Sequence, residues 1–214
     1  MRVLITGGAG YIGSHAVRQL ARQGHEVVVY DNLSTGHLCS VEGFECIIAD
    51  IADQEKLSRA LRGTDAVMHF AASSRVTESM RDPRKYFENN LKCGLSVLDA
   101  VLEAGTPYFI LSSTCAVYGL PPEMPISENM PKVPINPYGV SKLFLEHALE
   151  SYNAAYGLQF VSLRYFNAAG ADENGETGEM HEPETHLIPR ALEAAAGFRT
   201  QIDIYGSDYP TPDK

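Results

Sequence analysis

The sequence predicts an α/β fold, a doubly wound parallel sheet followed by the start of a smaller substrate-binding lobe, and three observations carry that reading. Short apolar runs alternate with helix-length stretches along most of the 214 residues, the pattern of strands joined by helical crossovers. A glycine-rich turn follows the first run directly, and an acidic residue closes the second. In a parallel sheet that combination marks the place where backbone N–H groups meet a phosphate-bearing ligand.

The elements follow in order. Residues 2–6 read as a short buried strand, and Gly7-Gly8-Ala9-Gly10-Tyr11-Ile12-Gly13 leads into a helix running to about Gln23. Glycines at 7 or 8 and at 10 permit a tight turn and close approach to a pyrophosphate, while Gly13 lets the helix lie near the strand. Glu26 to Tyr30 forms a second strand ending at Asp31, about 20 residues after the glycines, where a carboxylate can accept hydrogen bonds from an adenosine ribose. A glycine pattern alone would mean only a tight turn; the order of strand, turn, helix and carboxylate makes it specific. The carboxylate would repel a 2′-phosphate, and residues 32–36 contain no arginine, so NAD is expected over NADP.

Phe44 to Ala49, Asp65 to Phe70, Tyr108 to Ser112 and Gln159 to Leu163 supply four more strands, with helices near 53–62, 83–104 and 137–156 between them. Such a Rossmann-like sheet takes its ligands at the carboxyl ends of its strands. Asp50, Phe70, Ala71, Ala72, Ser112 to Thr114, Phe166 and Asn167 all fall there. Long loops run from Pro121 to Pro137 and from Asn167 to Glu184, and loops of that kind serve as lids or linkers. The second separates a dinucleotide-binding domain, 1–178, from residues 179–214, where a helix from Leu187 to Ala196 and a strand from Ile202 to Tyr205 open the second lobe.

Composition excludes several classes. A net charge of -10 argues against nucleic acid and anionic membrane as partners. No apolar run approaches the ~20 residues of a spanning helix, and the N-terminal run is too short for a signal peptide. Cys39, Cys46, Cys93 and Cys115 show no paired spacing, so reduced thiols and a cytoplasmic location are expected.

Tyr138 and Lys142 propose the chemistry. Four residues apart on a helix, they share one face. A phenol of pKa about 10 is a poor base at neutral pH, and an adjacent ammonium together with a cationic nicotinamide can stabilise its anion. Alone, the pair fits a surface lysine beside a half-buried tyrosine better, and it is the glycine turn that gives it meaning.

Thr6-Gly7-Gly8-Ala9-Gly10-Tyr11-Ile12-Gly13, Asp31-Asn32, Asp50-Ile51, His69-Phe70-Ala71-Ala72, Ser112-Ser113-Thr114 and the Tyr138/Lys142 pair resemble the extended short-chain dehydrogenase/reductase superfamily. More narrowly, residues 184–189 and 204–213 are similar to the nucleotide-sugar segments of its members that epimerise UDP-sugars at C4. The resemblance implies a UDP-sugar substrate, UDP-galactose or UDP-glucose, NAD held throughout turnover, and a transient 4-keto sugar. Other nucleotide-sugar epimerases or dehydratases stand as alternatives, as does an NAD-binding module without catalysis. Dehydratase and decarboxylase relatives place acidic residues just after the Ser-Ser-Thr segment, where this chain has Cys115 and Ala116. It also implies roles. Tyr138 is the base, Thr114 bonds the same oxygen, and Lys142 also meets the nicotinamide ribose; Asp31 and Asn32 take the adenosine ribose, Asp50 and Ile51 the adenine, and Asn89 the cofactor's polar backbone. Asn167, His186, Leu187 and Tyr205 hold the nucleotide-sugar, and Arg75 stands near the position of a diphosphate-binding lysine. Relatives continue beyond this chain's last residue, so most of the sugar lobe is expected to lie outside these 214 residues.

Two further segments have plainer readings. Residues 181–186 look like a helical zinc motif, but the histidines are five apart where four is needed and Pro183 breaks a helix, so no metal is expected. The apolar face of 137–156, with Leu143, Phe144, Leu149 and Tyr152, reads as packing, and with helix 83–104 it is expected to form a homodimer interface, as the family's four-helix contact implies.

Overall fold

The structure, a computed structural model, describes residues 1–204, 206 and 208. Six parallel strands form one sheet: β1 (Arg2–Thr6), β2 (Glu26–Asp31), β3 (Glu45–Ile48), β4 (Ala66–His69), β5 (Tyr108–Thr114) and β6 (Gln159–Tyr165). Their order is β3-β2-β1-β4-β5-β6, so the chain reverses direction across the sheet between β1 and β4, where Thr6 pairs with His69. Along β1 and β2 successive residues enter opposite cores. Leu4, Val28 and Tyr30 pack with Val97, Val101 and Leu145 on one face, and Val3, Ile5, Val27 and Val29 pack with Val17 on the other. Helices therefore cover both faces, which is why these strands lack a polar side.

The helices are α1 (Tyr11–Arg22), α2 (Gln54–Ala60), α3 (Val76–Arg81), α4 (Pro83–Tyr86), α5 (Cys93–Glu103), α6 (Pro137–Tyr156) and α7 (Leu187–Ala195). The single helix expected over 83–104 is instead α4, a π-helical stretch Phe87–Lys92, and α5. The short, polar α3 has no apolar period to announce it. β5 and β6 run further than expected because they pair together as far as Thr114 with Tyr165. The strand expected at Ile202 to Tyr205 is absent at 202–204, since a strand requires a ladder partner and the described residues offer none there; Tyr205 itself lies outside the described residues. No helix among the described residues is long and apolar enough to cross a membrane.

α6 begins at Asn136, whose side chain accepts from the Gly139 N–H at 2.8 Å, and ends at Gly157 with φ +77°. Asn-Pro is a strong start signal because the cap satisfies a free donor and proline lacks one. A buried charge network fixes the helix to the sheet. Glu146, 2% exposed, accepts from Arg164 Nη2 at 2.8 Å and from Ser113 Oγ at 2.5 Å. Removing one partner strands a buried charge. Arg164→Met is expected to lower unfolding free energy by about 3–5 kcal/mol, whereas adding Glu146→Leu should recover most of it, as read by urea denaturation.

Candidate active site

The turn after β1 is shaped by missing side chains. Gly7 has φ +71°, and a Cβ there would sit 2.4 Å from Ala71 N; a Cβ on Gly13 would sit 2.2 Å from Gly7 O. Only glycine permits either approach. Asp31, buried at the end of β2, binds the turn directly, accepting from Ala9 N–H at 2.9 Å and from Leu33 N–H at 2.8 Å. Its carboxylate thus orients the loop. Asn32 donates to Asp50 Oδ2 at 2.7 Å, bringing together the two residues expected to flank the adenosine, with Ile51 buried behind them.

Tyr138 stands in the first turn of α6, its ring edge-on to Tyr86 at 6.3 Å. Lys142, one turn on, is 2% exposed and makes no ion pair among the described residues. The sequence expects a depressed phenol pKa; the protein alone does the reverse. Burial raises Tyr138, a hydrogen bond with Thr114 opposes that, and the nearby Cys115 thiol adds to the rise. The same burial makes Lys142 a reluctant cation, pushed down to about 8. His69, 1% exposed, lies 2.7 Å from Thr6 Oγ1 and is pushed down to about 3 by burial and by the charge of Lys142, so it stays neutral.

Asn90 was not anticipated. It is fully buried, accepts from Ser73 N–H at 2.8 Å, and donates to Ser73 O at 2.9 Å and Ser141 Oγ at 3.2 Å. It ties the loop after β4 to α6 beside Lys142. Among its polar neighbours Glu88, Asn89 and Lys92, nothing in the sequence sets it apart. Its neighbour Asn89 donates to Ser73 Oγ at 3.3 Å.

The remaining candidates divide. Phe70, Ala71, Ala72 and Ser112 line the carboxyl edge beside the glycine turn, partly buried. Tyr11 donates to Gly170 O at 2.6 Å, carrying the loop after β6 onto α1. Phe166 and Asn167 are exposed beyond β6, and His186 and Leu187 are exposed at the start of α7. Arg75 donates to Glu182 O at 3.0 Å.

The chain matches the model of the NAD dependent epimerase/dehydratase family over residues 3–211. It is 50% identical over 218 residues to a Streptococcus mutans protein named UDP-glucose 4-epimerase, covering 100% of this chain and 66% of that one. A Rhizobium meliloti protein of the same name is 49% identical, with 99% and 65% covered. The structure of UDP-glucose 4-epimerase from Brucella ovis in complex with NAD superposes with TM-score 0.95 at 53% identity, over 99% of this chain and 66% of that one. That from Bifidobacterium longum, in complex with NAD+ and UDP, gives 0.92 at 35% identity over 100% and 68%. The chain therefore spans about 66% of the length of the Streptococcus relative.

Burial of Lys142 has a sign that can be tested. A folded pKa of about 8 against 10.5 unfolded means that the folded state holds the proton more weakly, so charged Lys142 costs stability below about pH 8 and the cost fades between 8 and 10.5. In the absence of ligand, Lys142→Met should stabilise the fold at pH 7 by up to about 3 kcal/mol, with the gain vanishing near pH 10.5. Thermal melts across pH would read it, and a pH-independent difference would place the effect in packing.

Proposed function

We propose, for a chain that belongs to the NAD dependent epimerase/dehydratase family, that the protein catalyses NAD-dependent 4-epimerisation of a UDP-sugar, interconverting UDP-galactose and UDP-glucose through a transient 4-keto sugar. The observation that carries this is a half-buried Tyr138 beside Thr114, at the carboxyl edge of a sheet whose first turn has glycine at 7, 8 and 10, where a side chain would crowd a pyrophosphate. The NAD and UDP in the neighbouring structures support the reading.

The residues fit the dinucleotide. A Cβ at Gly7 or Gly13 would collide with backbone, and the Gly10 N–H is taken by Gly7 O at 3.2 Å, which leaves the N–H groups of Tyr11 to Gly13 as the donors at the head of α1. Gly7, Gly10, Tyr11, Ile12 and Gly13 would hold the pyrophosphate, Asp31 and Asn32 the ribose, and Asp50 and Ile51 the adenine. Phe70, Ala71, Ala72, Asn89, Ser112 and Phe166 would line the rest, with Lys142 on the second ribose. NAD, when bound, supplies a reversible hydride acceptor and a positive ring. That charge, added to Lys142, offsets the burial that raises Tyr138. Tyr138 then takes the proton of the sugar 4-hydroxyl and later returns it, while Thr114 holds the same oxygen. Cys115 and Ala116 supply no carboxylic acid for elimination, which favours epimerisation over dehydration. Asn167, His186, Leu187 and Tyr205 would face the nucleotide-sugar on the lobe begun by residues 179–214. Phe87 and Phe144, 36% and 52% exposed on the helical segments over 83–104 and 137–156, support a homodimer, and the free thiols suit a cytoplasmic location.

The full-length protein given UDP-galactose without added cofactor should produce UDP-glucose; no product with NAD bound would favour a binding module. Tyr138→Phe should lower turnover by at least ~10²–10⁴ with NAD retained. Asp31→Ala should weaken NAD by about 1–3 kcal/mol, since the variant loses both the ribose acceptor and the Ala9 contact. Copurification of the unmodified protein with NADP would remove Asp31 from the role given to it.

A further inference from the structure

We infer that Glu179, His181, Glu184 and His186 form a four-coordinate site for zinc on the segment that leads into α7. One ligand atom from each lies within 4.8 Å of the others. His186 Nδ1 is 2.7 Å from Glu179 Oε1 and 2.9 Å from Glu184 Oε1, and His181 Nδ1 is 3.2 Å from Glu179 Oε1 and 3.9 Å from Glu184 Oε2. Zinc held by nitrogen and oxygen at about 2.0–2.2 Å in a tetrahedron sets its ligand atoms roughly 3.3 Å apart, inside that range.

Two observations separate this set from an ordinary acidic patch. Both carboxylate side chains are only 8% exposed; Glu184 Oε1 also accepts from the Thr185 and His186 N–H groups at 2.6 and 2.7 Å, but among the described residues the ion pairs of both carboxylates are with these two imidazoles, which carry charge only when protonated. Two nearly buried carboxylates without a fixed cation are costly. Moreover, His181 Nδ1 is buried and without a hydrogen bond although a carboxylate oxygen lies 3.2 Å away. The spacing that excludes a helical zinc motif does not apply here, because residues 181–186 form a loop in which Pro183 has no helix to break. Two imidazole nitrogens in a set of four fit zinc, and not the oxygen-rich shells of magnesium or calcium. The ion would clasp residues 179–186 beside Tyr11, whose ring lies 6.1 Å from that of His181.

The full-length protein, stripped of metal by a chelator, is titrated with Co2+ and then Zn2+ under visible absorption. One equivalent of Co2+ with the intense bands of a four-coordinate centre, displaced by one equivalent of Zn2+, is expected. Glu179→Gln and His181→Asn should each abolish that signal with circular dichroism unchanged. X-ray absorption of the zinc-loaded unmodified protein, which needs no variant, should show nitrogen and oxygen neighbours without sulfur. Absence of saturable binding, a weak six-coordinate spectrum, sulfur in the zinc shell, or a signal that survives in the Glu179→Gln/His181→Asn double variant overturns the site.

Discussion

Two absent side chains set the geometry on which the site depends. With Cβ atoms 2.4 Å from Ala71 N at Gly7 and 2.2 Å from Gly7 O at Gly13, any larger residue would push the turn off the sheet or α1 off the turn. That turn lies where the strand order reverses, so β1, β4 and the loop after β4 converge on it. Phe70 and Ala71 both donate backbone N–H groups to Thr6 O, and His37 donates to Ala9 O, which locks the convergence from two sides. Asp31 completes it by taking the Ala9 N–H. The carboxylate and the glycines are one device: the first orients the backbone whose approach the second permits.

Charge is buried here in two different ways. Glu146 is compensated by Arg164, Ser113 and the 3.6 Å approach of Lys132, and its carboxyl is held below the usual range despite burial. Such a network joins α6 to β5 and β6 and has a structural purpose. Lys142, one turn earlier on the same helix, meets no anion among the described residues. An unpaired ammonium and a burial-raised phenol form a site whose electrostatics are unfinished until a ligand enters, the condition under which binding itself can switch on a base.

The sheet was legible because each strand is a short, largely apolar run, the central β1 and β2 buried on both faces, and the glycine turn because sterics at Gly7 and Gly13 leave no other residue possible. Tyr138, Lys142 and Thr114 were legible as residue types at the right spacing. Their electrostatics were not, since desolvation depends on what packs around α6 and a motif carries no burial. Asn90 and Glu146 escaped for a related reason: their partners, Ser73 with Ser141 and Ser113 with Arg164, are brought close only by the fold. Residues 181–186 form a loop, so a helical ligand spacing has no bearing on how their side chains meet.

The long segment after β6 is read from its length as a lid or linker, yet its first half is stitched to α1. Tyr11 bonds Gly170 O, Ser14 meets Thr177 at 2.8 Å in a buried contact, and Arg22 grips Asp172 with both Nη atoms at 2.7 and 3.0 Å. The exposed ion pairs contribute little; the buried hydroxyl pair and the Tyr11 bond define the seat. α1 is the helix whose head would receive a pyrophosphate, so the residues that follow, from Glu179 to Leu187, are presented by a segment anchored to the dinucleotide side of the fold. The seat of residues 170–177 on α1 therefore fixes the point from which residues 179–187 set out.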